Sequence, residues 1–174
     1  ASKYYEIPLL QTKEVTTKYS VLQDLTNEYS SYYLGLFLTD GYINHDRVTL
    51  ELQSRDVHIL QTLADFVNLS YDRIKHRKDR NCSWINLSSI ALSKFYHNIG
   101  LVQNKSLTLE LKNTEFNWHI IRGIFDGDGG IYYSKKQDKI EFFSASEKFI
   151  DQIKTFLSEN QILSDKQSKK REGE

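Results

Sequence analysis

Two aspartates, Asp40 and Asp128, have the surroundings in this chain best suited to chemistry. They close two similar apolar stretches, YLGLFLTDG and IRGIFDGDG. Each stretch predicts a helix that ends at its aspartate, where the negative end of the helix dipole opposes a carboxylate by roughly 0.3 to 1 kcal/mol. Two such carboxylates side by side also repel each other. The arrangement makes sense if divalent cations lie between the acids, because hard oxygen ligands at paired sites suit Mg²⁺ and in-line phosphoryl chemistry.

Small residues accompany both aspartates at helical spacing. Gly35 lies four residues before Thr39, and Gly123 lies four residues before Gly127. Residues four apart share a helix face, and small side chains there let two helix backbones approach closely. We therefore predict that the two helices pack face to face through these residues.

A glycine also follows each aspartate, and its position predicts the end of each helix. Gly41 follows Asp40 and Gly129 follows Asp128. Glycine is the residue that most readily adopts left-handed backbone at a helix C-terminus. We predict that conformation at both glycines.

The two stretches belong to a duplicated unit. Residues 47–53 alternate apolar and polar side chains, as a half-buried strand does, and residues 59–67 and 149–157 carry apolar helical stripes with identical internal spacing. The stripes are offset by 90 residues and the two aspartates by 88. In the first copy, residues 73–78 and 83–89 add two strands, and residues 90–99 add a helix that Gly100 ends. The unit predicts an α+β fold with the order αββαββα.

Composition excludes several classes of protein. The 174 residues are 39% hydrophobic and carry 23 basic and 23 acidic side chains, and they contain one cysteine, Cys82. The chain has no apolar run that could span a bilayer and no signal-like start, so we expect a cytoplasmic, organellar or host-cell location without secretion or a membrane partner. The five histidines show no metal-ligand spacing with Cys82, which makes a zinc site unexpected.

Basic residues cluster locally although the net charge is zero. Arg73, Lys75 and Arg77 alternate along one predicted strand, so they share a face that could bind phosphates or guanine edges. On sequence alone, such a run is about as compatible with a solvated hairpin. The full set of candidate DNA-binding residues is Arg47, Gln53, Arg73, Lys75, Arg77, Lys78, Arg80, Lys135, Lys136 and Lys139.

The paired nonapeptides resemble those of the two-motif LAGLIDADG homing endonucleases. Both match position by position, and each heads the same order of elements from about Tyr29 onward. The resemblance implies two pseudo-symmetric units packed through their motif helices at Gly35 and Gly123, with a saddle of β-strands over double-stranded DNA. It makes accidental Asp-Gly turns in an unrelated α+β protein a remote alternative.

The resemblance also implies a catalytic site. Asp40 and Asp128 would bind Mg²⁺ or another divalent metal, helped by the backbone carbonyls of Thr39 and Gly127, and Lys105 would be a catalytic lysine between the halves. The implied function is site-specific cleavage of double-stranded DNA, as in nucleases of mobile introns or inteins. The alternative is a non-cleaving DNA- or RNA-binding relative, such as a transcription regulator or an intron maturase.

The sequence departs from the family pattern in two ways. The first acidic position of the nonapeptide is Leu38 in copy one and Asp126 in copy two, so we assign Asp126 a solvated or helix-capping role. Adding the 90-residue offset to Ile99 would carry copy two to about residue 189. We therefore expect an arm or extension at 1–28, a first repeat at 29–112, and a truncated second repeat at 113–174 that a companion polypeptide or a C-terminal segment completes.

Overall fold

The computed structural model describes residues 19–133 and 138–167, and it has the α+β fold predicted from the sequence. The first unit comprises α1 (Glu28–Asp40), β1 (Gly41–Asn44), β2 (Arg47–Gln53), α2 (Val57–Phe66), β3 (Ile74–Arg77), β4 (Cys82–Ser88) and α3 (Ile90–Ile99). The second unit comprises α4 (Trp118–Asp128), β5 (Gly129–Tyr132), β6 (Lys139–Phe142) and α5 (Glu147–Glu159). The first unit therefore has the predicted order αββαββα, and the second follows it as αββα.

The first unit forms a four-stranded antiparallel sheet in the order β1-β2-β4-β3. Val48 and Leu50 of β2 lie opposite Leu87 and Ile85 of β4, and all four side chains are buried. This confirms the predicted alternation, since one face of the sheet faces the core. The opposite face carries the polar side chains.

The two motif helices begin in the same way. Asn27 precedes α1 and accepts hydrogen bonds from the backbone N–H groups of Tyr29 and Ser30. Asn117 caps α4 in the same pattern, and its amide also donates to the Ser31 hydroxyl at 2.9 Å. Capping asparagines satisfy backbone donors that have no partner within the helix. The second cap thus also links the two helices.

The predicted packing of α1 against α4 is confirmed. A Cβ atom added to Gly35 would lie 2.8 Å from the Cα of Gly123, and one added to Gly123 would lie 3.0 Å from the Cα of Gly35. The backbones are thus in direct contact, so neither position has room for a side chain. Glycine is required here because of the close approach of the helices.

The predicted left-handed backbone at Gly41 and Gly129 is wrong. Both residues are extended, with φ of −90° and −102°. An added Cβ at Gly41 would lie 2.5 Å from the carbonyl oxygen of Phe37, and one at Gly129 would overlap Phe125. Each glycine therefore allows the chain to leave the helix directly into a strand that passes close to the last helical turn.

The second unit has a smaller sheet than the first. Strands β5 and β6 form an antiparallel pair in which Ile131 lies opposite Ile140. The stretch KQSKKREGE, which begins at Lys166, stands where the first copy has its basic strand RIKHRK. Residues 163–167 are in neither a helix nor a strand, and residues 168–174 lie outside the described part of the chain.

The segment between the units is fixed to both of them. Leu101, Leu109 and Leu111 are buried in the common core. The Gln152 side chain of α5 accepts from the backbone N–H of Leu111 and donates to its carbonyl, at 2.9 and 2.8 Å. The connection therefore holds α5 against the first unit.

Part of the predicted N-terminal arm belongs to the core. Leu22 lies in a short 3-10 helix and is fully buried. The hydroxyls of Ser30 and Ser31 in α1 donate to the carbonyls of Val21 and Leu25. Residues 19–28 are therefore packed against the first motif helix, while residues 1–18 lie outside the described part of the chain. No helix in the described residues is long and apolar enough to cross a membrane.

Candidate metal site and nucleic-acid face

Asp40 and Asp128 lie together at the same end of the helix pair. Each is the last residue of its helix. A Cβ atom added to Gly127 would lie 2.7 Å from a carboxylate oxygen of Asp40 and would overlap the hydroxyl of Thr39. The absence of a side chain at Gly127 thus makes room for the Asp40 carboxylate beside α4.

Burial and mutual repulsion disfavour negative charge on these acids. Burial raises the pKa of Asp40 to about 6, and the neighbouring Asp128 adds to the rise. The hydrogen bond from Thr39 and the charge of Lys105 oppose it. Burial also raises the pKa of the more exposed Asp128, again against the effect of Lys105. At both acids the effect of burial therefore outweighs the charge of Lys105.

Lys105 is a cation whose charge acts on both aspartates. Its ammonium donates to the backbone carbonyls of Thr39 at 3.0 Å and Gly41 at 2.5 Å. Burial lowers the pKa of Lys105, whereas the charges of Asp40 and Asp128 raise it. Lys105 belongs to the segment between the two units, so its hydrogen bonds attach that segment to the end of α1.

The donor set fits Mg²⁺. Thr39 and Gly127 are in the last turns of their helices, where carbonyl oxygens have no partner within the helix, although Thr39 already accepts from Lys105. Within the described residues, no three His, Cys, Asp or Glu side chains converge as a metal-binding group. Two carboxylates with a few carbonyls suit Mg²⁺, which keeps several waters when bound.

Asp126 has a role that the sequence did not indicate. Its carboxylate accepts a hydrogen bond from the Tyr32 hydroxyl at 2.8 Å, and the Arg122 guanidinium lies 4.4 Å from the centre of the Tyr32 ring. The sequence analysis assigned Asp126 a solvated or helix-capping role, and the structure shows a different one. Asp126 links α4 to α1 instead.

The structure distributes the predicted DNA-binding residues over several elements. Lys75 and Arg77 share the outer face of β3, but Arg73 precedes the strand in a short 3-10 helix, so the predicted run on one strand face is shorter than expected. Arg47 and Gln53 lie on the matching face of β2. The remaining candidates are Lys78 and Arg80 in a 3-10 turn, exposed Lys139 in β6, and Lys135 and Lys136, which lie outside the described residues.

The outer face of the larger sheet contains residues that the sequence reading missed. A depression of about 200 Å³ is lined by Tyr42, Asn44, Arg47, Thr49, Glu51, Arg77, Trp84 and Asn86. A tryptophan is most often a packing residue, but Trp84 lies on the face of the sheet opposite to the core, with the Arg77 guanidinium 5.2 Å from its ring centre. The alternation of buried Ser83, Ile85 and Leu87 could have predicted this orientation.

Comparison with known proteins follows the division into two units. Residues 29–112 match the family model described as the WhiA LAGLIDADG-like domain, and residues 115–174 match the one described as the LAGLIDADG-like domain. Two helices that end in paired aspartates and each lead into a hairpin define this class of protein. The chain belongs to the LAGLIDADG family.

Two individual proteins are similar to parts of this chain. The DNA-directed RNA polymerase subunit Rpo1C of Methanocaldococcus jannaschii is 28% identical over 138 residues, which are 76% of this chain and 16% of that protein. The chain thus spans about a sixth of that relative. The crystal structure of the I-LtrWI LAGLIDADG homing endonuclease bound to target DNA matches with a TM-score of 0.40 and 16% identity, over 65% of this chain and 64% of the other.

Proposed function

We propose that this chain is a site-specific double-stranded DNA endonuclease that hydrolyses phosphodiester bonds with Mg²⁺. The observation that carries the proposal is the pair of helix-terminal aspartates, Asp40 and Asp128, beside the partly buried Lys105. Without a metal, this arrangement disfavours the ionised form of both aspartates, and a bound cation would stabilise that form.

The residues of the site have distinct parts in this proposal. Asp40 and Asp128 would hold the metal, with the carbonyls of Thr39 and Gly127 as further oxygen ligands. When bound, Mg²⁺ would favour ionisation of a coordinated water and offset charge on the leaving oxygen. Lys105 holds its ammonium against the end of α1, and burial lowers its pKa toward the range in which a lysine exchanges protons.

The outer face of the larger sheet would bind the DNA. Arg47, Gln53, Lys75 and Arg77 lie on that face, where basic side chains can contact phosphates and base edges. Two adjacent strands fit the major groove of DNA. The sheet would thus position the duplex, and the helix ends would act on it.

Cleavage of a plasmid library with Mg²⁺ tests the proposal. The wild-type chain should cut a small set of sites, and cutting should be lost in Asp40→Asn and in Asp128→Asn. Asp126→Asn is the matched control, because it changes a carboxylate on the same helix and keeps an oxygen for the Tyr32 hydroxyl. If Asp126→Asn abolishes cutting as completely as Asp128→Asn, the assignment of the metal ligands is wrong.

A non-cleaving nucleic-acid-binding protein is the second candidate. The match of residues 29–112 to the WhiA LAGLIDADG-like domain and the similarity to an RNA polymerase subunit favour it, because neither description names a nuclease. Regulation of transcription or assistance in intron splicing would then be the role. Tight, selective binding of DNA or RNA without any cutting, unchanged by Asp40→Asn, would support this candidate over the first.

A further inference from the structure

The depression on the outer face of the larger sheet contains two hydrogen-bond donors whose positions other side chains fix. One is the Arg77 guanidinium, which lies 5.2 Å from the centre of the Trp84 ring. A cation over an indole is attracted to the ring face, and the contact restricts a long side chain that would otherwise sample many rotamers. Trp84 therefore acts as a platform that holds Arg77 over the sheet.

The second donor is the side-chain amide of Asn86. Thr49, the residue opposite Asn86 in the neighbouring strand, is buried and donates its hydroxyl to the Asn86 amide oxygen at 2.7 Å. This bond occupies the acceptor end of the amide and leaves its NH₂ group without a partner among the described residues. Asn86 thus presents donors to the depression.

An acceptor, the Glu51 carboxylate, lines the same depression as these donors. Glu51 of β2 is directly opposite Trp84 of β4, and it also lines the depression. Burial and a hydrogen bond to Glu51 raise the pKa of the Cys82 thiol, so Glu51 also has a neighbour on its own face of the sheet. No ion pair within 4 Å joins Glu51 to Arg77 in the described part of the chain, so the two side chains can contact separate groups.

This pattern of donors and an acceptor matches one base pair. Guanine presents two acceptors in the major groove, N7 and O6, and its partner cytosine presents an amino donor. Adenine and thymine each offer a different order of groups. An asparagine that reads adenine turns its amide oxygen toward the base, whereas here the amide oxygen of Asn86 is turned toward Thr49 and accepts from its hydroxyl. Two donors beside a carboxylate therefore favour guanine and cytosine.

We infer that this depression reads a G·C pair in the major groove, with Arg77 and Asn86 directed at guanine and Glu51 at cytosine, and that Trp84 and Thr49 are the positioning residues. The inference rests on the proposed binding of double-stranded DNA. It adds base selectivity at a defined place on the sheet and assigns roles to two residues that need not touch the DNA.

Selection from a randomised library of 40-base-pair duplexes in EDTA, followed by sequencing, tests the inference without requiring cleavage. Wild type should select a site with at least one strongly preferred G·C pair. Trp84→Leu and Thr49→Val should flatten the preference at that pair by roughly tenfold, as expected for the loss of one base contact. The preferences at other positions and the salt dependence of binding should change little, because the phosphate contacts remain.

Conservative variants separate positioning from folding. Trp84→Phe keeps a ring under Arg77 and Thr49→Ser keeps the hydroxyl, so both should retain most of the preference, with circular dichroism confirming that every variant folds. If wild type selects a site but its profile is the same in Trp84→Leu and Thr49→Val, the inference is overturned while the proposed function stands. If wild type selects no site, both fail together.

Discussion

Asp40 is the residue whose surroundings deviate most from those of an ordinary aspartate. It closes a helix, it is partly buried, and it lies beside a second carboxylate, so its pKa rises to about 6. Lys105 offsets this only in part, because its ammonium is shared between two backbone carbonyls. The fold thus concentrates negative charge where it is unfavourable, which is expected of a site that gains its stability from a cation.

The raised pKa predicts that Asp40→Asn stabilises the metal-free chain at neutral pH. The fold favours protonated Asp40. The stability that this protonated form contributes is fully present below the ordinary aspartate pKa of 3.8 and is lost as pH rises through about 6. In EDTA at pH 7.5, Asn at this position should raise the melting temperature by roughly 2 to 4 °C, which corresponds to about 1 kcal/mol in a chain of this size. The advantage should disappear near pH 4.

Thermal unfolding followed by circular dichroism at both pH values measures the effect. Asp126→Asn is the control for loss of one carboxylate from the helix pair, because it keeps an oxygen for the Tyr32 hydroxyl. Added Mg²⁺ should raise the melting temperature of wild type and have a smaller effect on Asp40→Asn. A lower melting temperature for Asp40→Asn at pH 7.5 in EDTA would show that the carboxylate is stabilised by the fold, contrary to the geometry.

Lys105 carries a second prediction at this scale. Lys105→Met keeps most of the aliphatic stem but removes the ammonium that bonds to Thr39 and Gly41. We expect the rate of DNA cleavage to fall by roughly 10²- to 10⁴-fold, the usual contribution of a proton-transferring group, with little change in the affinity for DNA. Single-turnover cleavage and fluorescence anisotropy with the same duplex separate the two quantities. Equal losses in both would make Lys105 a binding residue.

The positions of the two aspartates could be predicted from the sequence because they depend on local patterns. Apolar helical spacing that stops at an aspartate predicted both helix ends, and the small residues four apart predicted the contact between the helices. The orientation of Trp84 was missed because tryptophan as a residue type suggests burial, although the alternation of its neighbours placed it on the outer face. The bond from Thr49 to Asn86 joins residues 37 apart, so no local pattern reveals it.

At the scale of elements, the helix pair holds the two units together. The backbones of α1 and α4 touch at Gly35 and Gly123, and Asn117 and Tyr32 add hydrogen bonds across the pair. The contact between α1 and α4 was predicted correctly from the sequence, but the backbone conformation of Gly41 and Gly129, the glycines after the aspartates, was predicted wrongly. Conformational preference suggested left-handed backbone there, whereas the actual constraint is the approach of a strand to the preceding helical turn, which only tertiary structure determines.

Gly123→Ala should therefore disrupt the helix pair. The new methyl group would overlap the Tyr32 carbonyl and lie 3.0 Å from the backbone nitrogen of Leu36, and backbone atoms cannot move aside independently. We expect a loss of about 1 to 3 kcal/mol or more in the free energy of unfolding, as for other overpacked sites, despite the higher helix propensity of alanine. Urea denaturation measures it.

Gly130→Ala is the matched control for that experiment. The nearest atoms to its Cβ would belong to the side chains of Tyr132, at 3.1 Å, and Phe143. The stability of this variant should remain within about 0.5 kcal/mol of wild type, as for most surface substitutions. If Gly123→Ala is equally mild, the two helices are less closely packed than the structure indicates.

At the scale of the whole molecule, the two units differ in how their sheets are covered. Ile43 and Val48 face each other in the first unit, and they are 7% and 0% exposed under the rest of the core. Their counterparts in the second unit, Ile131 and Ile140, are 49% and 68% exposed. The first unit buries its pair with the help of β4 and α3, and the described part of the second unit contains no equivalent elements.

Completion of the second unit by a companion polypeptide or a C-terminal segment stays a prediction, and the exposed pair Ile131 and Ile140 is the place to test it. Exposed apolar side chains and the free edge of β6 are together prone to association. A strand paired with β6 and a helix over Ile131 and Ile140 would give the second sheet the cover that the first one has. The proposal predicts a difference between residues that occupy equivalent positions in the two units.

Ile43→Ala and Ile131→Ala test that difference directly. In the 174-residue chain, Ile43→Ala should lower the free energy of unfolding by about 2 to 4 kcal/mol, because it leaves a cavity in the core. Ile131→Ala should lower it by less than about 1 kcal/mol, because Ile131 is exposed. In a chain extended by the downstream coding segment, or with a companion polypeptide present, the cost of Ile131→Ala should rise toward that of Ile43→Ala. Urea denaturation gives both values, and sedimentation velocity should show that the extended form associates less. Equal costs for both variants in the 174-residue chain would mean that the chain covers Ile131 by itself, and the proposed completing segment would then be unnecessary.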